Sequence, residues 1–398
     1  MSPAPRDVIR ACRRIVARAW LAVAASVVLA ALTASATSVA SAAAAGNGGP
    51  SQGKLTKLES VFNFWAVACP PKGACVAVGQ TQSNEGVVVP VVGGRPSQLE
   101  AVPGVLGFGG VACPQPNECI ATGQSLRATT VLVRIVDGKP LEPVAVPGAY
   151  LFAISCGSPR SCWATGESAD QKHALFVHIV DFRVVKTSVL SGIYPGAFFG
   201  PDGNTLTAGT VYGPVPFCTS ATSCLAVGST APYYSKSPGS GLIVSLHDGR
   251  LVRAVRDPGI AQLLQVVCPS VTTCLADGYP VRAGEPDRLV GILDGHPTGV
   301  VAATSKGWLA TTMSGISCQS AKICYAASRV GLITSILPGR TPSVTSIVGV
   351  GGDSPDHLRF EGGFDQLSCV ASSCLAAGGV YDPSIPSHAL GVLYYFRG

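Results

Sequence analysis

Short apolar runs separated by turn residues fill the chain from residue 55 onward, and a helical hydrophobic period of useful length occurs only near the N-terminus. One kind of run ends at a cysteine, as in Phe64–Cys69 and Leu263–Cys268. After a five-residue turn, a second run begins at another cysteine and ends at a glycine, as in Cys75–Gly79. Runs of this length that are bounded by turn residues predict short β-strands.

Two further runs complete each unit. A run of Val, Leu and Ile closes at a turn, as in Val290–Leu293 before Asp294-Gly295. Asp-Gly between apolar runs favours a hairpin, because both residues tolerate the positive φ of a tight turn. A fourth run ends at a breaker such as Pro258-Gly259. Each unit therefore predicts four antiparallel strands, A to D.

The phrase Cys-x5-Cys-x-Ala-x-Gly occurs seven times, with neighbouring copies 43 to 62 residues apart. The last copy has one residue fewer between its cysteines, and Ser328 replaces the glycine of the sixth. A repeat of tens of residues indicates stacked supersecondary units. The recurring Ala and Gly fit a strand B that packs against neighbouring sheets in the crowded inner part of a ring. The cysteine pairs are Cys69/Cys75, Cys113/Cys119, Cys156/Cys162, Cys218/Cys224, Cys268/Cys274, Cys318/Cys324 and Cys369/Cys374.

Seven repeats of four antiparallel strands predict an all-β fold, a seven-bladed β-propeller. The last repeat runs out at the C-terminal residue without a strand D, whereas residues 55–61 look like a strand D with nothing before it. We therefore expect residues 55–61 to complete the last blade, which closes the ring and covers both sheet edges. The alternative is an open solenoid with two bare edges.

Fourteen of the 15 cysteines fall in the seven pairs, and Cys12 is the exception. An even and regular set predicts one disulfide in each blade and an oxidising compartment. The paired cysteines lie at facing ends of strands A and B, where side chains approach closely enough to be bridged. A zinc site needs clustered ligands, whereas the cysteine pairs are far apart and the histidines stand alone. No metal or other cofactor is predicted.

Residues 1–45 have the order of a cleavable signal peptide. Five arginines within residues 1–18 precede an apolar run from Ala19 to Leu32, and small residues follow. A retained anchor is the alternative, but the run is shorter than the ~20 apolar residues that span a membrane. We expect a signal peptide at 1–45, a linker at 46–54 and the propeller at 55–398, secreted and without a membrane span after cleavage.

The net charge gives no reason to expect nucleic acid as a partner. Residues 1–45 hold five of the 28 basic and one of the 22 acidic residues, so the rest of the chain carries 23 against 21. A nearly balanced chain offers no electrostatic attraction for nucleic acid or for an anionic membrane.

The phrase Ile154–Gly166, Ile-Ser-Cys-Gly-Ser-Pro-Arg-Ser-Cys-Trp-Ala-Thr-Gly, resembles repeats of secreted actinobacterial β-propeller proteins, and Ile316–Ser328 repeats it. The same rhythm over residues 55–398 is similar to BNR-like and photosystem-assembly-factor-like propellers. This resemblance implies the fold. The sialidase Asp-box, Ser-x-Asp-x-Gly-x-Thr-Trp, is absent from every repeat, so no catalytic residue is transferred from such enzymes.

Loop length indicates where a ligand would bind. In a propeller the D to A and B to C connections emerge on one face, and loops on a rigid scaffold carry recognition. The fourth repeat has the longest such loops, and aromatic side chains in them offer a large contact area for sugars or peptides. Packing of the loop onto its own blade is the alternative role for Phe198 and Phe199. The candidate binding residues are Tyr194, Phe198, Phe199, Tyr212, Tyr233, Tyr234 and, in the seventh repeat, Tyr381.

The sequence favours an exported, monomeric, non-catalytic propeller that binds a protein or a cell-envelope polysaccharide through this face. No nucleophile or general-base motif is present, and no catalytic residue is predicted. The alternative is an extracytoplasmic glycan hydrolase or lyase with a site at the central channel, using acids such as Asp202, Glu285 or Asp382. A third possibility is a structural component of the cell envelope that binds no small ligand. A convergent pair of acids in the channel would favour the enzyme.

Overall fold

The computed structural model describes residues 53–127, 129–191, 193, 215–231, 239–282, 285, 287–303, 313–337, 343–347, 362–381 and 389–397. For residues 302, 303, 344, 346 and 381 only the backbone is described. These residues form thirty β-strands in seven antiparallel sheets. Within the described ranges no helix is long and apolar enough to cross a membrane.

The first strand, β1 (Lys54–Leu58), belongs to the last sheet. Sheet 1 contains β2 (Val61–Ala68), β3 (Cys75–Thr81), β4 (Gly86–Val92), β5 (Arg95–Pro96) and β6 (Glu100–Val102). Sheet 2 contains β7 (Val105–Gln115), β8 (Glu118–Ser125), β9 (Thr130–Val136), β10 (Lys139–Pro140) and β11 (Val144–Val146). Sheet 3 contains β12 (Ala149–Cys156), β13 (Ser161–Ser168), β14 (Ala174–Val180) and β15 (Arg183–Leu190).

Sheet 4 contains β16 (Val215–Cys218), β17 (Ser223–Ser229), β18 (Gly241–His247) and β19 (Arg250–Asp257). Sheet 5 contains β20 (Ile260–Val267), β21 (Thr273–Pro280), β22 (Arg288–Leu293) and β23 (His296–Ala303). Sheet 6 contains β24 (Met313–Ser320), β25 (Ile323–Ser328), β26 (Leu332–Ile336) and β27 (Ser343–Ser346). Sheet 7 contains β28 (Gly362–Val370), β29 (Ser373–Tyr381) and β30 (Ala389–Arg397), followed by β1.

The seven sheets form a closed ring. The first strand of each sheet contacts the first strand of the next, in the cycle β2, β7, β12, β16, β20, β24, β28 and back to β2. The first strands are therefore innermost, and the chain returns to its starting sheet. This confirms the predicted seven-bladed propeller and excludes the open solenoid.

Strand β1 closes the ring as predicted. It pairs antiparallel with β30 over five residues, from Lys54 opposite Tyr395 to Leu58 opposite Gly391. The strand ends three residues earlier than expected, because Glu59 and Ser60 form a turn and Val61 already begins β2. The last blade is thus completed by the first strand, which pairs with the outer edge of β30.

The hydrophobic core is divided among the seven interfaces between consecutive sheets, here called seams. Each seam contains one cluster of buried apolar side chains. The alanine of each repeat lies in the seam with the preceding sheet and is at most 1% exposed, which confirms the predicted role of a small residue. The seven alanines are Ala77, Ala121, Ala164, Ala226, Ala276, Ala326 and Ala376.

All seven predicted disulfides are formed, one in each sheet between its first and second strands. The Cα atoms of each pair are 3.8 to 4.1 Å apart. The predicted Asp-Gly hairpins are also present. At Asp294-Gly295, for example, the φ angles are 50° and 76°, so both residues are left-handed. The disulfides and the Asp-Gly turns lie at the same end of the sheets.

The disulfides belong to the hydrophobic core and not to a functional surface, although the sequence marks their cysteines as site residues. The second cysteine of each pair lies two residues before the repeated alanine, so both side chains point into the same seam. Each of these cysteines packs in or against the cluster that contains its alanine. Six of them are buried: Cys119, Cys162, Cys224, Cys274, Cys324 and Cys374. Two first cysteines, Cys218 and Cys268, are buried as well.

Candidate functional site: the loop face

The two faces of the ring differ in the length of their connections. One face, here called the disulfide face, carries the A to B and C to D connections. Between described strands these connections are six residues or fewer, the longest being 69–74 and 337–342. The opposite face, here called the loop face, carries the B to C and D to A connections.

The long connections are confined to the loop face of sheets 4 to 7. Up to the end of sheet 3 the loop-face connections are short, such as 103–104 and 147–148. The long ones are 191–214, 230–240, 281–287, 304–312, 347–361 and 382–388. The length of the connections therefore varies mainly on the loop face, in the half of the ring after sheet 3.

Most of the candidate binding residues lie in these connections and outside the described residues. They are Tyr194, Phe198, Phe199, Tyr212, Tyr233 and Tyr234. Tyr381 is the last residue of β29, and its side chain is not described. The 191–214 connection lies between β15 and β16, and the 230–240 connection lies between β17 and β18. Both connections therefore emerge on the loop face. Whether the aromatic side chains form one patch stays a prediction.

The acids of the alternative, catalytic hypothesis do not assemble in the described part of the chain. Asp202 and Asp382 lie outside it. Glu285 is bound by arginines, with its Oε2 atom 2.5 Å from Arg288 and its Oε1 atom 3.8 Å from Arg282. Its carboxylate is therefore neutralised at the rim of the loop face.

The structure contains a different pair of acids, Asp277 and Asp287, in the seam between sheets 5 and 6. Asp277 accepts a hydrogen bond from the backbone N–H of Gln265 at 2.9 Å, and Asp287 accepts one from Met313 at 2.9 Å. Burial raises the pKa of Asp287 to about 6. Burial, together with the nearby Asp287, raises the pKa of Asp277 well above its usual range. Because both side chains are buried, the pair connects strands rather than facing the channel.

A partly buried network joins sheets 6, 7 and 1. Asp365 accepts a hydrogen bond from Asn63 at 2.7 Å, and its Oδ1 atom is 3.3 Å from Nε of Arg329. Burial raises the pKa of Asp365, whereas Arg329 and Asn63 act in the opposite direction. Asp365 is the extra residue of a β-bulge in β28, between Phe364 and Gln366. The bulge turns its side chain toward the next sheet, as bulges commonly do.

The third buried acid is Glu167, at the loop-face end of β13. It is fully buried and neither carboxylate oxygen has a hydrogen-bond partner. Burial raises the pKa of Glu167 to about 7. The residues at the same repeat position in sheets 1 and 2 are Gln80 and Gln124, which are uncharged. An acid at this position is therefore specific to sheet 3.

The sequence contained a signal for Asp277 that the motif search missed. In the other repeats the position between Ala and Gly is apolar or small, as at Val78, Thr165 and Ala377. An Asp at this position departs from the repeat, and such a departure indicates a polar contact specific to one seam.

The described histidines do not form a cluster, and His178 packs within sheet 3. His178 stacks on Trp163 with ring centroids 3.9 Å apart, and its Nε2 is 2.8 Å from Ser161 Oγ. Burial lowers the pKa of His178. Within the described ranges, no group of three or more His, Cys, Asp or Glu side chains could hold a metal ion. The buried acids can accept hydrogen bonds between sheets, and the loop face can carry recognition.

No protein-family model matches the chain, and no curated protein matches it. Solved structures do resemble it. A structure described as U3-55K has 9% sequence identity and a TM-score of 0.56, covering 87% of this chain and 99% of that one. A crystal structure of RRP9 WD40 repeats has 10% identity and a TM-score of 0.56, covering 86% and 97%. At this identity the likeness establishes the fold alone, a propeller of WD40-like architecture.

Proposed function

We propose that this chain is an exported, non-catalytic propeller that binds a protein or a cell-envelope glycan through its loop face. The observation that carries the proposal is the asymmetry of the ring. Every sheet is clamped by a disulfide at one face, whereas all the long connections between described strands emerge at the other. Variable loops on a rigid scaffold are the usual location of recognition.

Three further features support a binding function. The architecture is shared with WD40-repeat propellers, which favours an interaction scaffold and a protein partner. The buried acids Asp277 and Asp287 and the partly buried Asp365 accept hydrogen bonds from other strands, so they serve the scaffold. The seven disulfides are compatible with export, and the signal peptide at 1–45 and the linker at 46–54 belong to the same proposal. We also propose that the chain belongs to the BNR-like, photosystem-assembly-factor-like group of propellers.

The test is binding by the chain without residues 1–45, using isolated cell-envelope polysaccharide and a panel of purified secreted proteins. A variant carrying Tyr233→Ala and Tyr234→Ala removes the two aromatics of the 230–240 loop. We expect saturable binding that the double substitution weakens by about tenfold or more, as for aromatic anchors at a binding surface.

The matched control changes an exposed apolar residue in an equivalent connection of the short-loop half. The control is Leu126→Ala, in the 126–129 connection between β8 and β9. Leu126 is 71% exposed, and its loss should leave binding unchanged. Binding that is identical in the tyrosine variant and the parent would remove the loop face as the binding site. Release of reducing sugar or of unsaturated sugar products from the polysaccharide would instead favour the hydrolase or lyase.

A further inference from the structure

The outermost strands of sheets 3, 4 and 5 differ from those of the other sheets. β15, β19 and β23 each run for eight residues. In sheets 1 and 2 the outer strand is interrupted after Pro96 and Pro140, and β27 and β1 have four and five residues. Three adjacent sheets thus present long outer strands side by side.

These three strands expose aliphatic side chains. Val185 is 57% exposed and Val252 is 64% exposed. Half of the large exposed apolar residues in the described chain lie on these strands, namely Val184, Val185, Val189, Leu251, Val252, Val300 and Val301. A group of exposed apolar side chains with charged residues beside it is typical of an interaction site.

Bulges give β15 and β19 the same surface pattern. Val185 is the extra residue between Val184 and Lys186, and Val252 is the extra residue between Leu251 and Arg253. Because of the bulge, Arg250 and Arg253 lie opposite His247 and Ser245, which share one side of β18. Arg183 and Lys186 lie opposite Val180 and His178 in the same way. Two cations therefore project from one side of each strand.

Contacts between sheets join these strands into one surface. Lys186 Nζ donates to the carbonyl of Asp248 at 2.8 Å, and Ser188 donates to Gly249 at 2.7 Å. Arg253 donates to the carbonyl of Asp294 at 3.1 Å. β15 and β19 are thus each fixed to the C to D turn of the following sheet. We call the exposed side chains of β15, β19 and β23 the outer strip.

The strands of the outer strip carry an excess of basic residues, although the chain after residue 45 is nearly neutral and the C to D turns beside the strands contain Asp181, Asp248 and Asp294. β15 and β19 hold five basic residues and one acid, Asp257, whose carboxylate accepts a hydrogen bond from Gly259. The guanidinium groups of Arg250 and Arg256 make no hydrogen bond or ion pair within the described part of the chain. Both are therefore available for an external acid.

We propose that the outer strip binds an acidic, aliphatic segment of a partner protein, at a surface separate from the loop face. Carboxylates of the segment would pair with Arg250 and Arg256, which lie opposite His247 and Leu242 and so on the two sides of β19. Its aliphatic side chains would cover Val185 and Val252. Charge complementarity of this kind selects the partner and orients it. A second copy of the chain is disfavoured, because it would place basic side chains against basic side chains.

The composition of the strip distinguishes a protein from other anionic partners. β15, β19 and β23 contain no Phe, Tyr or Trp. Sugars are commonly held against aromatic rings, and membrane-surface proteins place aromatic residues at the headgroup level. The bulges and cations also oppose pairing of a further strand along the edge. The segment therefore docks on side chains rather than extending the sheet.

The experiment measures fluorescence anisotropy of a labelled peptide of four Glu-Val repeats, with four Lys-Val repeats as the reversed-charge probe. The test variant is Arg250→Glu with Arg256→Glu, which breaks no described side-chain contact. The matched control is Lys54→Glu with Lys57→Glu, the same charge change on exposed residues of β1 in sheet 7. Val252→Gln tests the apolar part separately, and thermal unfolding checks that each variant is folded.

We expect saturable binding of the acidic peptide alone, weakened roughly tenfold by the arginine double variant and unchanged by the lysine control. Hydrogen exchange should slow in 183–190 and 250–257 when the peptide binds, and Tyr233→Ala with Tyr234→Ala should have no effect. The proposal is overturned by the absence of saturable binding, by equal weakening in the lysine control, or by equal binding of the basic peptide. Arginine-dependent binding of phosphatidylglycerol vesicles without peptide binding would overturn it in favour of a membrane surface.

Discussion

A Cβ atom added to Gly79 would lie 2.0 Å from the carbonyl oxygen of Asn63 on the neighbouring innermost strand. The same carbonyl approach occurs at Gly166 toward Tyr150, at Gly278 toward Gln262 and at Gly378 toward Gly363. The innermost strands bulge directly after this point. The repeated glycine therefore makes room for the adjacent strand of its own sheet.

The first prediction concerns this glycine. Gly79→Ala should destabilise the protein by about 2 to 3 kcal/mol, because the clash is with backbone that cannot move aside. Urea unfolding of the parent and the variant measures the difference. The control is Gly107→Ala on β7, where the nearest atom to an added Cβ is 3.6 Å away. Gly107→Ala should be within about 1 kcal/mol of the parent. Equal costs at the two positions would contradict the steric explanation.

The second prediction concerns the disulfides. Cys156→Ser with Cys162→Ser opens a seven-residue loop, and the chain-entropy relation gives a loss of about 2 kcal/mol. The same change at Cys318 and Cys324, in a sheet that does not adjoin sheet 3, should cost a similar amount. Because the two sites are far apart, the quadruple variant should show the sum of both losses. Urea unfolding without reductant measures all three, and a loss in the quadruple variant no larger than in one pair would contradict independence.

The repeat predicted the fold because its signals are local. Cysteine spacing, Asp-Gly turns and apolar runs each depend on a few adjacent residues, and the ring follows from their sevenfold recurrence. The unpaired segment before the first repeat and the missing strand after the last predicted that residues 55–61 complete the last blade, and in the structure Leu55 lies opposite Tyr394. The strand bounds were predicted less well. β1 ends at Leu58 because a turn follows, and β2 and β20 begin three residues before the predicted runs.

The buried acids could not be predicted from hydrophobic alternation. Both sides of every inner strand are buried in a propeller, so alternation of apolar and polar residues cannot distinguish Asp277 from its neighbours. Its partner is the N–H of Gln265, which lies next to the bulged residue Leu264. The role of the repeated glycine was also only partly predictable from the sequence. Small size between sheets explains Ala276, whereas the requirement at Gly278 comes from a bulge that appears only in three dimensions.

The third prediction concerns ring closure. A chain that begins at Ser60 lacks β1, which leaves the outer edge of β30 unpaired and removes the hydrogen bond from the Gly53 N–H to Tyr394 Oη. We expect a lower melting temperature and self-association, because an exposed edge strand pairs with other chains. The control is a chain that begins at Gly53, which keeps β1 complete. Thermal unfolding and gel filtration compare the two, and identical behaviour would mean that β1 is dispensable.

The last prediction concerns Glu167, whose pKa is raised by burial to about 7 from an ordinary value of 4.5. The folded state therefore holds this proton more tightly than the unfolded state. The resulting stability is fully present below about pH 4.5 and is lost as the pH rises through 7. The shift corresponds to about 3 kcal/mol at pH 8. Asp287, with its pKa raised to about 6, changes stability in the same direction.

Glu167→Gln should therefore leave stability unchanged near pH 4 and raise it by up to about 3 kcal/mol at pH 8, since a neutral amide replaces a buried carboxylate. Gln80 and Gln124 already hold the equivalent position in sheets 1 and 2, so the repeat accommodates the side chain. Urea unfolding at pH 4, 6 and 8 measures the effect, with the exposed Glu142→Gln as the control. If the parent and Glu167→Gln change equally in stability between pH 4 and 8, the Glu167 carboxyl ionises in the folded state without a free-energy cost. Glu167 would then be in contact with solvent.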